Sequence, residues 1–276
     1  WAFSPNAWSK VVDGDAPPSA RFGAAMVGDP AASDYLLMFG GQTSYSQVSS
    51  ETFRLAASNW SLSLSSSPPF PTARFGAAMM ADPDRGRVVL FGGCSVARGT
   101  GPPLGDTWEW NGSAWTQLSP ASSPSARYGA VFVYDGPRRR GVLFGGSTNP
   151  TCWGGVESGE TWEFDGTTET WAPVAAESFD GGRFGHAATF AARRGRVVMH
   201  GGWSDGGQTS DGFEFDGRAW PKRDVPNLLP RDSHGLAYDP SSGITYAFGG
   251  NLSGGSSNDL WEIKLQQKFA QQLFQF

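Results

Sequence analysis

The chain repeats one short pattern five times. An arginine, an aromatic residue and a glycine open a hydrophobic run that closes on a double glycine. The openings are Arg21-Phe22-Gly23, Arg74-Phe75-Gly76, Arg127-Tyr128-Gly129, Arg183-Phe184-Gly185 and a degraded Arg231-Asp232-Ser233-His234. The closings are Gly40-Gly41, Gly92-Gly93, Gly145-Gly146, Gly201-Gly202 and Gly249-Gly250. The arginine precedes the first glycine by 18 residues in four copies and by 19 in the first. Successive arginines lie 53, 53, 56 and 48 residues apart, so length varies only outside this core. Self-similarity near 50 residues marks a repeat architecture, whose units bury their apolar faces against one another. The units tile most of the 276 residues, which predicts one domain over 1–265 and leaves a tail, 266–276, unassigned.

One unit shows why the fold is all-β. Arg74 to Met80 is a short strand-forming run, and Asp82-Pro83-Asp84-Arg85-Gly86 is a turn signal. Val88-Val89-Leu90-Phe91 is apolar without alternation, as expected of a strand covered on both faces. After Gly92-Gly93 and a variable loop, Asp106-Thr107-Trp108-Glu109-Trp110 alternates, Asn111-Gly112 signals a hairpin, and Ala114 to Leu118 makes a fourth strand. The other third strands begin at Glu51, Glu160, Asp211 and Asp259, and fourth strands carry Trp60, Trp171 and Trp220. A four-stranded sheet that is apolar on both faces must stack against its neighbours, and a radial stack of such sheets is a β-propeller.

Composition narrows the function. A net charge of -5 lacks the basic surplus expected of a nucleic-acid binder. No run of about 18 apolar residues is present to span a membrane as a helix. Cys94 and Cys152 occupy corresponding loops of successive units, so a disulfide and two free thiols are both open readings. A bridge would point to an extracellular, cell-surface or periplasmic setting.

The Arg-x-Gly-His element (intact at Arg183 to His186), the double glycine, the acid before an aromatic strand and the spaced tryptophans resemble the Kelch repeat. Alanine replaces the histidine at positions 24, 77 and 130, so the resemblance is to a divergent, bacterial-style version related to the galactose-oxidase propeller. It implies four-stranded antiparallel blades, and the count favours five over six. The segment Trp1 to Trp8 aligns with Trp108 to Trp115, an outer hairpin without inner strands, and residues 1–12 are expected to close the ring by completing the last blade. The sequence opens at Trp1 within a strand pattern, as a processed or trimmed product would.

Propeller geometry puts the loops after each double glycine around the channel mouth. Arg21, Arg74, Arg127, Arg183 and Arg231 would ring that mouth, either gripping an anionic group or pairing with the repeat acids as braces. Tyr45, Trp153 and Trp203, beside Asp205 and Asn251, suit stacking on a sugar or anchoring a peptide, or else cover the loop bases. His186, His200 and His234 read as core residues rather than metal ligands. Gly202-Trp203-Ser204-Asp205-Gly206 imitates a nucleophile elbow, but no helix follows it. Arginines in the turns of blades two to four, Arg85, Arg138 and Arg193 among them, would sit on the opposite face, partly neutralised by Asp82, Asp84 and Asp135. The expected function is a non-catalytic scaffold for a protein or glycan ligand, a monomeric domain or part of a larger polypeptide, with no cofactor. The alternative is a carbohydrate-acting enzyme similar to sialic-acid mutarotases or copper radical oxidases.

Overall fold

The computed structural model describes residues 2–4, 7–9, 17–30, 35–56, 59–63, 68–96, 101–175 and 181–263. The tail from 264 onward, and residues 10–12 of the expected closing segment, lie outside the described residues. Every described element is a β-strand.

Strands β1 (Ala2–Ser4) and β2 (Ala7–Ser9) form a hairpin. Blade one consists of β3 (Ala25–Gly28), β4 (Tyr35–Phe39), β7 (Thr52–Ala56) and β8 (Asn59–Leu62), with a small rim hairpin, β5 (Gln42–Ser44) and β6 (Gln47–Val48), inserted after its double glycine. Blade two is β9 (Ala78–Asp82), β10 (Arg87–Phe91), β11 (Thr107–Trp110) and β12 (Trp115–Leu118). Blade three is β13 (Val131–Asp135), β14 (Arg140–Phe144), β15 (Thr161–Asp165) and β16 (Thr170–Val174). Blade four is β17 (Ala187–Ala191), β18 (Arg196–His200), β21 (Gly212–Phe215) and β22 (Lys222–Arg223), with the rim hairpin β19 (Trp203–Ser204) and β20 (Gly207–Gln208). Blade five has three described strands, β23 (Gly235–Asp239), β24 (Ile244–Leu252) and β25 (Gly255–Ile263). The expected five-bladed all-β propeller is the observed architecture, and each blade is an antiparallel meander.

Blades are joined by apolar seams and by a repeated backbone clamp. Between blades one and two, Leu37 and Phe39 meet Met79, Val88 and Leu90, and Trp115 reaches back to meet Phe39 edge to face with ring centroids 5.4 Å apart. Phe91–Trp171 at 5.3 Å and Phe144–Trp220 at 4.9 Å repeat this contact at the next two seams. Each such indole also donates to a buried threonine of the preceding blade: Trp115 to Thr52, Trp171 to Thr107 and Trp220 to Thr161, at 2.9, 3.1 and 3.0 Å.

The double glycine supplies the clamp. The N–H of its second residue donates to the carbonyl of the next blade's arginine, Gly93 to Arg127 at 2.9 Å and likewise from Gly41, Gly146 and Gly202. Gly92 shows why a side chain is excluded there: its φ is 68°, and a Cβ would lie 2.4 Å from the Arg127 carbonyl oxygen.

Candidate functional site

The channel mouth is built from the residue that follows each arginine. Phe22, Phe75, Tyr128 and Phe184 each form a single bridge with the residue after their blade's double glycine: Gln42, Cys94, Ser147 and Trp203. The bridges hold the four rings in a row around the opening, with successive centroids 6.2, 6.4 and 6.0 Å apart. At the fifth position stands Asp232, bridged to Asn251 and accepting hydrogen bonds from Gln208, Asn251 and Ser233. The mouth opens into a cavity of about 770 Å³. Its wall is lopsided. Blades one to three contribute aromatic rings and alanine, whereas blades four and five contribute His186, His234, Ser233, Asn251, Ser256 and Ser257 beside Phe184.

The arginines stand behind this wall. Each Nη1 donates to the carbonyl of the first glycine of its own double glycine, at 2.9 to 3.1 Å. Arg74 and Arg231 also hold Asp106 and Asp259 through two parallel hydrogen bonds, the geometry that suits guanidinium and carboxylate. Arg21 pairs with Glu51 and Arg127 with Glu160. Arg74, Arg127, Arg183 and Arg231 are buried, so their planar forks serve the blade. In blade four the repeat acid Asp211 is held by Lys222, and Arg183 stacks its guanidinium over Phe213 at 4.7 Å. Burial pulls Arg183 down to about 10 despite the opposing charges of Asp211 and Asp205. At Asp106 burial acts to raise the pKa, but the hydrogen bonds and charge of Arg74 outweigh it and hold the carboxyl below its ordinary range.

The rim residues singled out by sequence are dispersed. Tyr45 is exposed at the turn of the β5–β6 hairpin, and Trp153 is exposed in the loop after Gly146. Trp203 lies in β19, beside Phe184 of the collar, with Asp205 in the following turn at φ 50°. Asn251 lines the cavity. Thus Trp203 and Asn251 reach the mouth through their bridges, while Tyr45 and Trp153 mark the rim beyond it. The collar rings Phe22, Phe75, Tyr128 and Phe184 escaped the sequence reading because they looked like part of the folding signal. Their clue was the fifth copy, where the aromatic gives way to Asp232.

Cys94 and Cys152 are joined by a disulfide, with Cα atoms 6.2 Å apart. The bridge ties the rim loops of blades two and three beneath Tyr128, so neither sulfur is free to link to a tyrosine. His200 and His234 are buried side by side, Nδ1 to Nε2 at 3.1 Å. Burial, followed by neighbouring positive charge, lowers His200 to about 3 and His234 to about 4, so both are neutral at pH 7. His186 is buried edge-on to Phe144, and burial likewise holds it well below its ordinary value. Among the described residues no three His, Cys, Asp or Glu side chains converge as metal ligands would. Ser204 of the elbow-like sequence lies in β19, a hairpin strand.

On the opposite face the turn arginines are paired within and between blades. Arg85 bridges Asp82 and Glu109, Arg138 bridges Asp135 and Glu163, and Arg139 reaches Asp84 of the neighbouring blade at 2.7 Å. No described helix is long and apolar enough to cross a membrane.

A family model described as the KLHDC2/KLHL20/DRC7 Kelch-repeats domain matches residues 2–178, the N-terminal hairpin and the first three blades. A search of curated proteins found no match.

Proposed function

Because the chain belongs to the Kelch-repeat family, we propose that it is a binding scaffold whose ligand, a protein segment or a glycan, is held at the channel mouth. The observation that carries this reading is the lopsided mouth: a row of aromatic rings on one side and hydroxyl, amide and imidazole groups on the other, around one cavity. A concave site with an apolar wall and a few convergent polar groups orients a ligand that has one apolar face. Rings also offer large contact areas at small entropic cost, and Trp203, Trp153 and Tyr45 extend that surface over the rim. The arginine forks are already engaged by carbonyls and acids, which favours an uncharged binding surface over an anion grip. The disulfide at the rim suits an oxidising compartment, outside the cell or in a periplasm.

The test is a screen of a glycan array and a displayed peptide library with the wild-type protein and two variants. Phe22→Ala combined with Asn251→Ala alters both walls of the mouth, whereas Arg139→Ala alters the opposite face. Binding that is lost in the first and kept in the second supports the mouth. Binding indifferent to the first variant, or lost only in the second, refutes it.

A further inference from the structure

The outer hairpins of blades two, three and four turn on the same kind of side chain. In blade three the Asp165 carboxylate accepts the Thr167 N–H at 2.8 Å, and in blade four Asp216 accepts those of Arg218 and Ala219, both at 2.9 Å. Blade two has an asparagine there. The Asn111 side-chain oxygen accepts the N–H groups of Ser113 and Ala114 at 3.0 and 2.9 Å. A turn closed in this way needs only an acceptor oxygen, which aspartate supplies as well. The amide nitrogen of Asn111 therefore takes no part in the turn, and the residue is exposed.

Two residues on stands a hydroxyl. Ser113 Oγ donates to the same Asn111 oxygen at 2.9 Å, so hydroxyl and amide are in contact. Asn111-Gly112-Ser113 is the acceptor pattern for an N-linked sugar: asparagine, a residue other than proline, then a hydroxyl residue. The turn is made by β11 and β12 alone, which pair directly and are pinned at its base by the buried Trp110–Trp115 contact. It is thus available to an enzyme as soon as this hairpin forms. In an antiparallel meander the first and third turns lie at the same end, so Asn111 shares the face of the turn arginines and points away from the mouth.

The pattern occurs twice more, at Asn59-Trp60-Ser61 and Asn251-Leu252-Ser253, and the structure separates these from Asn111. Asn251 lines the cavity, donates to Asp232 at 3.3 Å and accepts from Ser256 at 3.2 Å, so a sugar there would fill the mouth. Asn59 lies within β8, paired with Ala56, and Ser61 turns its hydroxyl to the Arg54 carbonyl at 3.4 Å.

We propose that Asn111 carries an N-linked oligosaccharide at the outer edge of blade two, on the face opposite the mouth. In the transfer Nδ2 forms a bond to the anomeric carbon of a polyprenyl-diphosphate-linked oligosaccharide. The bond from that carbon to the diphosphate oxygen breaks, the diphosphate leaves with the electron pair, and Nδ2 gives up one proton to a base of the transferase. The proposal rests on the oxidising compartment that the Cys94–Cys152 bridge supports, where secreted chains acquire such sugars. It is independent of what the mouth binds.

The test is secretion of the intact chain from a eukaryotic host, followed by peptide-N-glycosidase in heavy-oxygen water. The enzyme converts each sugar-bearing asparagine to a labelled aspartate that peptide mass spectrometry locates. Label at position 111, abolished by Ser113→Ala, is the expected result. Absence of label at 111 overturns the proposal, as does label that persists in Ser113→Ala. Unlabelled aspartate in its place would mean spontaneous loss of the amide at an Asn-Gly bond, and overturns it too. In protein made in a bacterial periplasm, without the transfer, Asn111→Asp should leave the melting temperature unchanged, since aspartate serves blades three and four. A marked fall would refute the argument that the amide nitrogen is spare. A secreted chain with its disulfide formed but without label refutes the sugar and leaves the compartment standing. Loss of mouth binding in the Phe22→Ala, Asn251→Ala variant leaves the label at 111 in place, which separates this proposal from the mouth reading.

Discussion

Asp106→Ala tests whether the arginines brace the blades. Arg74 has no exposed side-chain surface, and Asp106 is about one-fifth exposed, so this pair lies mostly out of water. Removing the carboxylate leaves two guanidinium nitrogens without their acid at 2.6 and 2.8 Å, and deprives the Trp108 indole N–H of its acceptor at 2.7 Å. Stranding one partner of a buried pair costs about 3–5 kcal/mol, and the partial exposure of Asp106 places the cost near about 3 kcal/mol. For a domain of this size that is a fall in melting temperature of roughly 6–12 °C. Glu51→Ala is the internal control, because the Glu51 side chain is 45% exposed and a pair with that much solvent is worth at most about 1 kcal/mol. Urea unfolding followed by tryptophan fluorescence measures both. Equal losses in the two variants, or a loss below about 1 kcal/mol for Asp106→Ala, would refute the bracing argument. Asp106→Asn, which keeps acceptor and shape but removes the charge, should fall between them.

Cys94→Ser with Cys152→Ser opens a loop of 58 residues, and chain entropy sets the loss at about 4 kcal/mol; the urea midpoint with and without reductant tests it. Trp171→Phe removes the donor to buried Thr107 and should cost about 1–2 kcal/mol, while the same change at partly exposed Trp60 should cost less. Stability should decline from about pH 6.5 downward, because the unfolded chain takes up protons that the buried histidines refuse until about 4 for His234 and about 3 for His200. Each histidine contributes a slope of about 1.4 kcal/mol per pH unit in that window, and His200→Phe, which restores the residue found in the other copies, should flatten it. Below about pH 4 the carboxylates Asp106, Glu160 and Asp259, whose arginine partners hold them low, add a second loss as they protonate. A denaturation midpoint that stays flat between pH 7 and pH 5 would contradict the histidine argument.

Much of the architecture was legible because the repeat is local. An arginine 18 residues before a glycine is the length of one inner hairpin, and the fork of Arg74 spans that distance to the Gly92 carbonyl. The acid at the head of each third strand was equally readable as a partner, since both members recur together. The collar was not readable in the same way. Phe75 and Tyr128 belong to the repeat pattern, and nothing in a single unit says that their rings meet across a seam at 6.4 Å to wall a cavity. The disulfide needed two loops of different blades to approach, so the sequence left two readings that the fold resolved.

By itself, then, the sequence determined the blade: its four strands, its turns, its arginine brace and the number of copies, all set by spacing within about 50 residues. The tertiary structure alone decided what happens between blades. Gly92 is required by the Arg127 carbonyl of its neighbour, and Met79 is buried because blade one covers it, while Met26, in the same place in its own blade, remains in water. Burial at a seam belongs to a pair of units, so identical patterns acquire different environments according to which neighbours each blade has.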